Sequence, residues 1–419
     1  MSSQPYDDRI GGLSPRLPLW LSFGAATLSF VAVFAASASP IPLYEIYHRT
    51  SGVTKSDLSL TAVAYFVAAV TALLIFGRLS NYFGRRVISI AALLVTAAGC
   101  LVLTHVSGAA PLILGRVLQG LGAGLASSAV AAFIVDSAPR SPRWVGAAAT
   151  TGAPMVGLTI GALGSGALVQ YAPHSRTLIY LLAAGLLVTC ALLVAASRDT
   201  VQRQAGAAAS LRPQLAVPAA ARRFLPVAAA TFVATWALGG FYQAFGPTVA
   251  ADQLGTTNTL IAAVVFASLM VPSAIGAPLS GRLLPAGAQR VGMVLFLLAV
   301  VVILASIHLG SIGPFLVASL IAGAAQGATF AGSLRALLAE TTPAQRAGLL
   351  AVVYAISYSG AAIPAVIAGQ LARTLSLFEI ALGYGALAAI ACLITLIRAE
   401  NPVGRTESRE CRDAQARAA

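Results

Sequence analysis

Long apolar runs are the feature that most restricts what this chain can fold into. Runs of about 18 or more residues with few charges recur along the whole sequence, and one α-helix needs about 20 such residues to cross a bilayer. Charged residues make up 9% of the 419 positions and hydrophobic residues 58%, whereas a soluble domain carries about 25% charged residues. The single-residue alternation of transmembrane β-strands is missing. The sequence therefore predicts an all-α protein that crosses a membrane many times.

Apolar runs and polar loops alternate to give twelve predicted spanning helices. Their approximate extents are 17–39, 58–77, 87–104, 109–134, 145–169, 177–196, 224–250, 259–279, 291–309, 313–339, 347–371 and 380–397. An even number of spans places both chain ends on one face. That face carries 21 Lys and Arg residues and the opposite face four, with Arg116 inside the fourth span. Because positively charged loops stay in the cytoplasm, we expect both termini there.

A polar segment divides the spans six and six. Residues 197–223 are rich in Ala, Arg, Pro and Gln and have no strong apolar period, which is typical of a linker. We expect this cytoplasmic linker to join an N-terminal half, 17–196, to a C-terminal half, 224–397. The charged tails, 1–16 and 398–419, are expected to be cytoplasmic as well.

A basic loop appears twice in the chain. The segments GRLSNYFGRRVIS at 77–89 and GRLLPAGAQRVGM at 281–293 share five identities over eleven positions. The second segment begins 204 residues after the first, and we call this offset the repeat interval. The same offset relates Asp136 to Glu340. Two matching windows at one interval indicate a duplicated six-helix unit, as in transporters built from two halves.

The first copy of this loop carries a family motif. The matching residues of the pattern G-x-L-x-D-x-x-G-R-[RK] are Gly77, Leu79, Gly84, Arg85 and Arg86. With twelve spans arranged six and six, the chain resembles the major facilitator superfamily over residues 15–398. The resemblance implies the major facilitator fold, in which this loop docks on the start of the eleventh helix, here near Pro343, and holds the cytoplasmic side shut. Asn81 replaces the family's acidic residue, so the loop lacks the charge that a helix N-terminus favours, and we expect a weaker hold.

Charges at the inner helix ends complete this predicted cytoplasmic gate. The resemblance implies that Arg85 or Arg86 pairs with Asp136, and the internal repeat extends the arrangement to Arg290 and Glu340. Exposed ion pairs contribute about 0–1 kcal/mol each. Such pairs would bias an equilibrium between two conformations rather than hold the fold together.

One arginine lies within a predicted span. Arg116 opens the segment RVLQGLGAG, which resembles the family's R-x-x-x-G-x-G motif, and Gln119 follows one turn later. The resemblance implies a role for this arginine in proton coupling or substrate binding. An arginine facing lipid costs about 3 to more than 10 kcal/mol, so it would face a wet cavity or a partner. The alternative is that it snorkels to the nearby outer surface. The repeat interval relates Arg116 to Leu320, so the charge belongs to one half.

The fifth predicted helix contains GLTIGALGSG at 157–166. This segment is similar to the glycine-rich motif of drug:proton antiporters, with Ala162 in place of the family's proline. Gly157 and Gly161 lie one turn apart and would let two helices approach closely. Helix packing alone is a sufficient explanation of these two glycines.

None of the thirteen acids falls in the middle of a span. Glu45 follows SPIPLY at 39–44, where prolines would break the first helix near its outer end and turn the carboxylate inward. Arg116 lies at a similar depth, so we expect the two to pair and carry the proton coupling. Asp57 is a second candidate. The alternative for both acids is a solvated loop carboxylate.

Polar and aromatic residues on the predicted spans are candidates for a substrate cavity. They are Trp236, Tyr242, Gln243, Gln326, Tyr354 and Tyr358. Such a mixed set between helices suits an amphipathic solute. Packing or anchoring at the membrane interface is the alternative for each.

These features favour a secondary active transporter of a small organic solute, as a monomer in a bacterial inner (plasma) membrane, and more specifically a proton-coupled exporter of a drug or metabolite. An importing uniporter or proton symporter is the alternative with the same fold. A membrane-embedded enzyme would need a catalytic set, and no HExxH or GxSxG motif is present. No motif calls for a cofactor or metal. The net charge of +13 lies in loops and tails, which indicates topology rather than nucleic-acid binding.

Overall fold

The computed structural model describes residues 17–402, except for 140, 142, 143, 173, 174, 202, 203, 205, 213, 214, 343 and 344. Twelve helices within this part of the chain are long and apolar enough to cross a membrane. We number them α1 (Leu19–Ala38), α2 (Lys55–Phe76), α3 (Arg85–Leu103), α4 (Ala109–Ser137), α5 (Trp144–Tyr171), α6 (Ser175–Ala196), α7 (Leu225–Asp252), α8 (Thr259–Leu279), α9 (Pro285–Leu309), α10 (Ile312–Ala339), α11 (Arg346–Leu371) and α12 (Leu377–Arg398). The predicted all-α fold with twelve spans is confirmed. The predicted start of the eleventh helix at Pro343 lies outside the described residues.

The first span is broken, as the prolines predict. After α1 the chain makes one 3₁₀ turn, Ile41–Leu43, and a short helix, Tyr44–Thr50. Pro40 and Pro42 have no N–H groups to donate to carbonyls one turn back, so a regular α-helix cannot continue through them. The break turns the outer end of this span across the bundle.

Helix packing in the first six spans recurs in the last six. In the N-terminal half, α4 packs on α1, α2 and α3, α1 also packs on α5 and α6, and α3 on α6. In the C-terminal half, α10 packs on α7, α8 and α9, α7 on α11 and α12, and α9 on α12. The halves meet through two equivalent pairs, α2 with α11 and α5 with α8. This arrangement is the major facilitator fold.

The outside of the bundle is apolar. Large side chains such as Trp20, Leu192 and Ile397 are exposed to about two thirds of their full extent, at 69%, 67% and 69%. Large apolar surfaces are rare on soluble monomers. They fit a surface covered by lipid.

Candidate functional site

Arg116 is completely buried in the N-terminal half. Its Nη1 donates to the Ser37 carbonyl of α1 and, at 2.8 Å, to Gln119 Oε1. The guanidinium carbon lies 4.2 Å from the centre of the Tyr65 ring of α2. The alternative that Arg116 snorkels to the outer surface is therefore wrong, because α1, α2 and α4 enclose the side chain.

The break after α1 supplies acceptors to this cluster. Pro40 has no N–H for the carbonyl of Ala36, and Gln119 Nε2 donates to that carbonyl at 2.8 Å. Ser165 of α5 donates to the carbonyl of Ser39 at 2.6 Å. Side chains from α4 and α5 thus satisfy the broken end of α1, and the partial negative charge of a helix C-terminus faces the guanidinium.

Glu45 does not pair with Arg116, so the predicted ion pair is wrong. Glu45 Oε1 accepts from Arg49 Nε at 2.6 Å. No described carboxylate lies within 4.0 Å of Arg116. The reason is local: the helix resumes at Tyr44, which places Arg49 on the same helix face four residues after Glu45.

The Glu45 side chain lines a pocket between the halves. Its side chain is 13% exposed, and Oε2 is buried without a hydrogen-bond partner. The N-terminal half contributes Pro42, Glu45, Ile46 and Arg49 to the wall, and the C-terminal half contributes Pro247, Ala251, Thr256, Thr257, Asn258, Thr259 and Ala262. Glu45 therefore has one carboxylate oxygen paired with Arg49 and one that is buried at the interface without a hydrogen-bond partner.

Asp57 has a structural role as a helix-capping residue. Its Oδ2 accepts from the backbone N–H of Thr54 at 2.9 Å and from the Thr54 hydroxyl at 2.7 Å. The Thr54 hydroxyl in turn accepts from the Asp57 N–H at 3.1 Å, which completes a capping box at the start of α2. Asp57 makes no contact with the Arg116 cluster and does not line the Glu45 pocket.

An aromatic cluster lies between the halves near the middle of the spans. Trp236 of α7 and Tyr354 of α11 are half-buried and approach the buried Tyr358, with ring centres 4.9 and 6.4 Å from it. Phe66 of α2 reaches Tyr358 from the other half at 6.1 Å. The structure thus brings three predicted cavity residues together. Phe66 was missed, because an apolar ring in an apolar span carries no signal of a cavity.

The other cavity candidates are Tyr242, Gln243 and Gln326. Tyr242 is buried inside the C-terminal half, where its hydroxyl bonds Ser319 and its ring stacks on Phe315 of α10. These contacts make Tyr242 a packing residue in this conformation. Gln243 is only 8% exposed, and Gln326 Oε1 is buried without a partner. Gln326 therefore keeps a free acceptor close to the core of the C-terminal half.

Ser319, rather than Leu320, occupies the place of Arg116 in the second half. Glycines of α4 and α10 pack on backbone carbonyls of α2 and α8, and the matched contacts are Gly120 on Tyr65, Gly124 on Ala69, Gly323 on Leu269 and Gly327 on Ser273. The repeat interval relates the carbonyls to each other, whereas the glycines are separated by one residue less. Residues of α10 therefore align with those of α4 at an offset one residue shorter than the repeat interval. Ser319 is buried, whereas Leu320 is 45% exposed on the outside. Among the described residues, the buried charge still belongs to one half only.

Arg85 organises the inner end of α2 and α3. Its Nε donates to Asp136 Oδ2 of α4 at 3.0 Å, and its Nη1 donates to Asn81 Oδ1 at 2.6 Å and Ser80 Oγ at 2.7 Å. Of the two arginines considered for Asp136, the structure selects Arg85. Asn81 is occupied by this contact within its own half. Gly77 ends α2 just before this loop.

Gly84 occupies a position in the loop that requires glycine. Its φ is +94°, and the carboxylate of Asp199 lies where a Cβ would stand. Asp199 Oδ1 accepts from the Arg85 N–H at 2.9 Å and so caps the start of α3. Asp199 belongs to the linker and was missed, because nothing in a polar linker distinguishes a cap from a solvated charge.

The second basic loop keeps only part of this arrangement. Arg86 Nη1 donates to the carbonyl of Ala195 at 3.2 Å, and Arg290 Nη2 donates to that of Ala399 at 2.7 Å. The repeat interval relates the two donors to each other, and it relates the two acceptors as well. Each arginine therefore ties the end of the last helix of its half to the third.

The predicted pair between Arg290 and Glu340 is wrong, because Arg290 corresponds to Arg86 and not to Arg85. Glu340 pairs with Arg223 at 3.1 Å. The repeat aligns Arg290 with Arg86 and places Gln289 at the position of Arg85, which is the residue that reaches the acid. Gln289 bonds Ser333 instead, at 3.1 Å.

Gly157 and Gly161 form a close helix contact. They pack on the backbone of α1, at Val31 and Ala35. The contact fixes α5 against α1 inside the N-terminal half. Their geometry supports the packing role.

An ion pair and a hydrogen bond join the halves at the outer face, meaning the helix ends away from the chain termini. Lys55 Nζ of α2 bonds Asp252 Oδ2 of α7 at 2.7 Å. Gln170 Oε1 of α5 accepts from the Thr259 N–H of α8 at 3.0 Å. Neither inner-face ion pair joins the two halves: Arg85–Asp136 lies within the N-terminal half, and Arg223–Glu340 joins the end of the linker to the C-terminal half. We call the Lys55–Asp252 and Gln170–Thr259 contacts the outer clamp.

A metal centre has no support in this part of the molecule. Among the described residues, no group of three or more His, Cys, Asp or Glu side chains could hold a metal ion.

Comparison with known proteins is consistent with this geometry. Residues 21–307 match the family model described as the Major Facilitator Superfamily. A segment of 101 residues is 35% identical to the bacillibactin exporter of Bacillus subtilis (strain 168), and it covers 23% of this chain and 25% of the exporter. The alignment thus spans only a quarter of that relative.

Two solved structures share the fold. The crystal structure of a D-xylose-proton symporter matches 93% of this chain and 100% of its own, with a TM-score of 0.73 and 15% identity. That of the human organic anion transporter MFSD10 (TETRAN) matches 91% of this chain and 100% of its own, with a TM-score of 0.64 and 15% identity. At this identity the likeness concerns the fold alone.

Proposed function

The chain belongs to the Major Facilitator Superfamily, and from this we propose that it moves a small organic solute across a bacterial inner membrane by alternating access, as a proton-coupled exporter. It is a transporter rather than an enzyme. The arginine count favours cytoplasmic termini, which makes the outer clamp periplasmic or extracellular. The conformation described is then the one closed to the outside. A monomer is sufficient, because both halves of the site lie on one chain.

The observation that carries this proposal is the aromatic cluster between the halves. Trp236 and Tyr354 come from the C-terminal half and Phe66 from the N-terminal half, so a solute bound there touches both. Aromatic faces with a few polar groups suit an amphipathic organic molecule. Gln326, with its unpaired buried oxygen, is a candidate to orient a donor group of the solute. A solute contacting both halves can favour one conformation over the other only through such differential contacts.

Glu45 is the residue that best supports proton coupling. Among the described acids it alone has a buried carboxylate oxygen without a partner, and it lies in the pocket between the halves. Protonation would cancel its charge and weaken the contact with Arg49, on the side from which an exporter's protons arrive. Asp57, engaged in its cap, is not needed for this step.

Export is favoured by the segment shared with the bacillibactin exporter. The likeness to a D-xylose-proton symporter concerns the fold and leaves direction to experiment. An importing symporter or uniporter is distinguished by the sign and the pH dependence of the flux.

The test is solute movement in proteoliposomes with and without an imposed pH gradient, across a panel of aromatic and non-aromatic solutes. We expect solute and protons to move in opposite directions, and Glu45→Gln to abolish the proton movement. Asp57→Asn is the matched control, since it removes a carboxylate charge at the same face, and we expect it to retain coupling. Flux that ignores the pH gradient would refute coupling, and co-directional movement would make the protein a symporter.

A further inference from the structure

The Arg116 cluster holds more hydrogen-bond donors than acceptors. Nη1 has its two acceptors, the Ser37 carbonyl and Gln119 Oε1. The Nε and Nη2 atoms are buried and have no partner. The hydroxyl of Tyr44, also buried, has none either, and it lies within electrostatic reach of Arg116.

The positive charge of the cluster is also uncompensated. A carbonyl and an amide oxygen carry only partial charges, and no described carboxylate lies within 4.0 Å of the guanidinium. The Tyr65 ring adds a modest cation–π contribution. A buried cation without a counter-charge is unfavourable, because the interior does not replace the hydration it loses.

An acceptor with a negative charge would satisfy the unpaired donors and compensate the cation at once. We propose that Arg116 and Tyr44 form an anion site that takes a monoanionic group, either a carboxylate of the transported solute or a free halide ion. A carboxylate would accept from Nε and Nη2 of the guanidinium edge, and the Tyr44 hydroxyl would donate a further bond. Arg116 would then select solutes that carry a carboxylate.

The site is close along the chain to residues at the interface between the halves. Tyr44 directly precedes Glu45, and Pro42 and Glu45 both line the pocket between the halves. In this proposal, opening the outer face uncovers the site from that pocket. This inference rests on the proposed function only where it identifies the anion with the transported solute.

Ligand-dependent stabilisation of the purified full-length protein tests the proposal. Thermal unfolding is followed with a thiol-reactive fluorogenic dye, which reports the buried Cys100, Cys190 and Cys392. Sodium benzoate is titrated against benzamide, its uncharged counterpart, and sodium chloride against sodium sulfate, at equal ionic strength. A ligand that binds the native state raises the unfolding midpoint in a saturable way.

We expect benzoate, but not benzamide, to raise the midpoint of the wild type. Arg116→Gln should remove the effect, and Tyr44→Phe should weaken the apparent affinity about two- to tenfold, the value of one hydrogen bond. Arg373→Gln is the matched control, because it loses the same charge at an exposed outer position. If Arg116→Gln does not fold, the Tyr44→Phe titration decides.

The outcomes separate the sources of the anion. Stabilisation by benzoate alone assigns the site to the solute's carboxylate, and stabilisation by chloride as well assigns it to a free anion. The proposal is overturned if neither anion stabilises the wild type, or if Arg116→Gln is stabilised equally. A protein that transports neutral solutes while showing no anion effect would refute this inference and leave the proposed function standing.

Discussion

Breaking the outer clamp should shift the protein towards its outward-open conformation. Lys55 and Asp252 join α2 to α7 through one ion pair of 2.7 Å, with side chains that are 30% and 34% exposed. A partly exposed pair contributes about 0.2–1 kcal/mol, which corresponds to a change of about 1.4- to 5-fold in the ratio of the two conformations. Asp252→Asn and Lys55→Gln should each produce a change of this size. Lys55→Asp, which places two carboxylates opposite each other across the interface, should produce a larger one.

The populations of the two conformations can be measured from the distance between two spin labels on outer loops. Ser107 and Thr374 are exposed positions, one in each half, and can carry labels in a protein whose native cysteines are replaced. Each single variant should increase the share of long distances, and the effect should shrink at high salt as the charges are screened. The double exchange of Lys55→Asp with Asp252→Lys should restore the wild-type distribution.

Two results would refute this reasoning. Unchanged distances in Lys55→Asp would mean that the ion pair does not hold the halves together. A double exchange that behaves as the sum of its single variants would mean that the two residues act independently.

Two further predictions concern the packing of the N-terminal half and its inner loop. Gly161→Ala should destabilise the protein by about 1–3 kcal/mol, because the new methyl group meets the Ala35 backbone, whereas Gly164→Ala, with open space around it, should not; equal thermal unfolding midpoints would show that α1 yields. Asn81→Asp should favour the conformation closed at the inner face, because a carboxylate there supplies the charge that a helix N-terminus attracts. Spin labels at Ser141 and Thr342 would report that closure, and unchanged distances would show that Arg85, which already bonds this side chain, retains it.

The sequence was sufficient for features that depend on local composition. Twelve apolar runs give twelve helices, and Pro40 and Pro42 break the first span where the missing N–H groups require it. For Arg116 the sequence left burial and snorkelling to the outer surface as alternatives, and the structure selects burial. Its partners did not follow, because the Ser37 carbonyl becomes available only through the geometry of the break.

Partners at the inner face were harder to predict, because a repeat interval fixes positions and not contacts. The interval correctly relates Arg86 to Arg290, and it fails by one position in α10, where Ser319 replaces Leu320. The assignment of Glu340 to Arg290 required that Arg85 and Arg86 be interchangeable. They are not, since one reaches an acid and the other a helix end.

The contrast between repeated and unrepeated contacts suggests how the two halves divide their work. Contacts that recur, such as those of Arg86 and Arg290 with the last helix of each half, hold the scaffold. The charges of Arg116 and Glu45 do not recur, since buried Ser319 stands in the place of Arg116 and the repeat interval relates Glu45 to the buried Val249. The two halves therefore share one helix packing, and among the described residues the N-terminal half alone holds a completely buried charge. Two of the aromatic rings at the interface, Trp236 and Tyr354, come from the other half. A solute that bridges an acid-binding half and an aromatic half would require both to be present, and neither half alone would transport it.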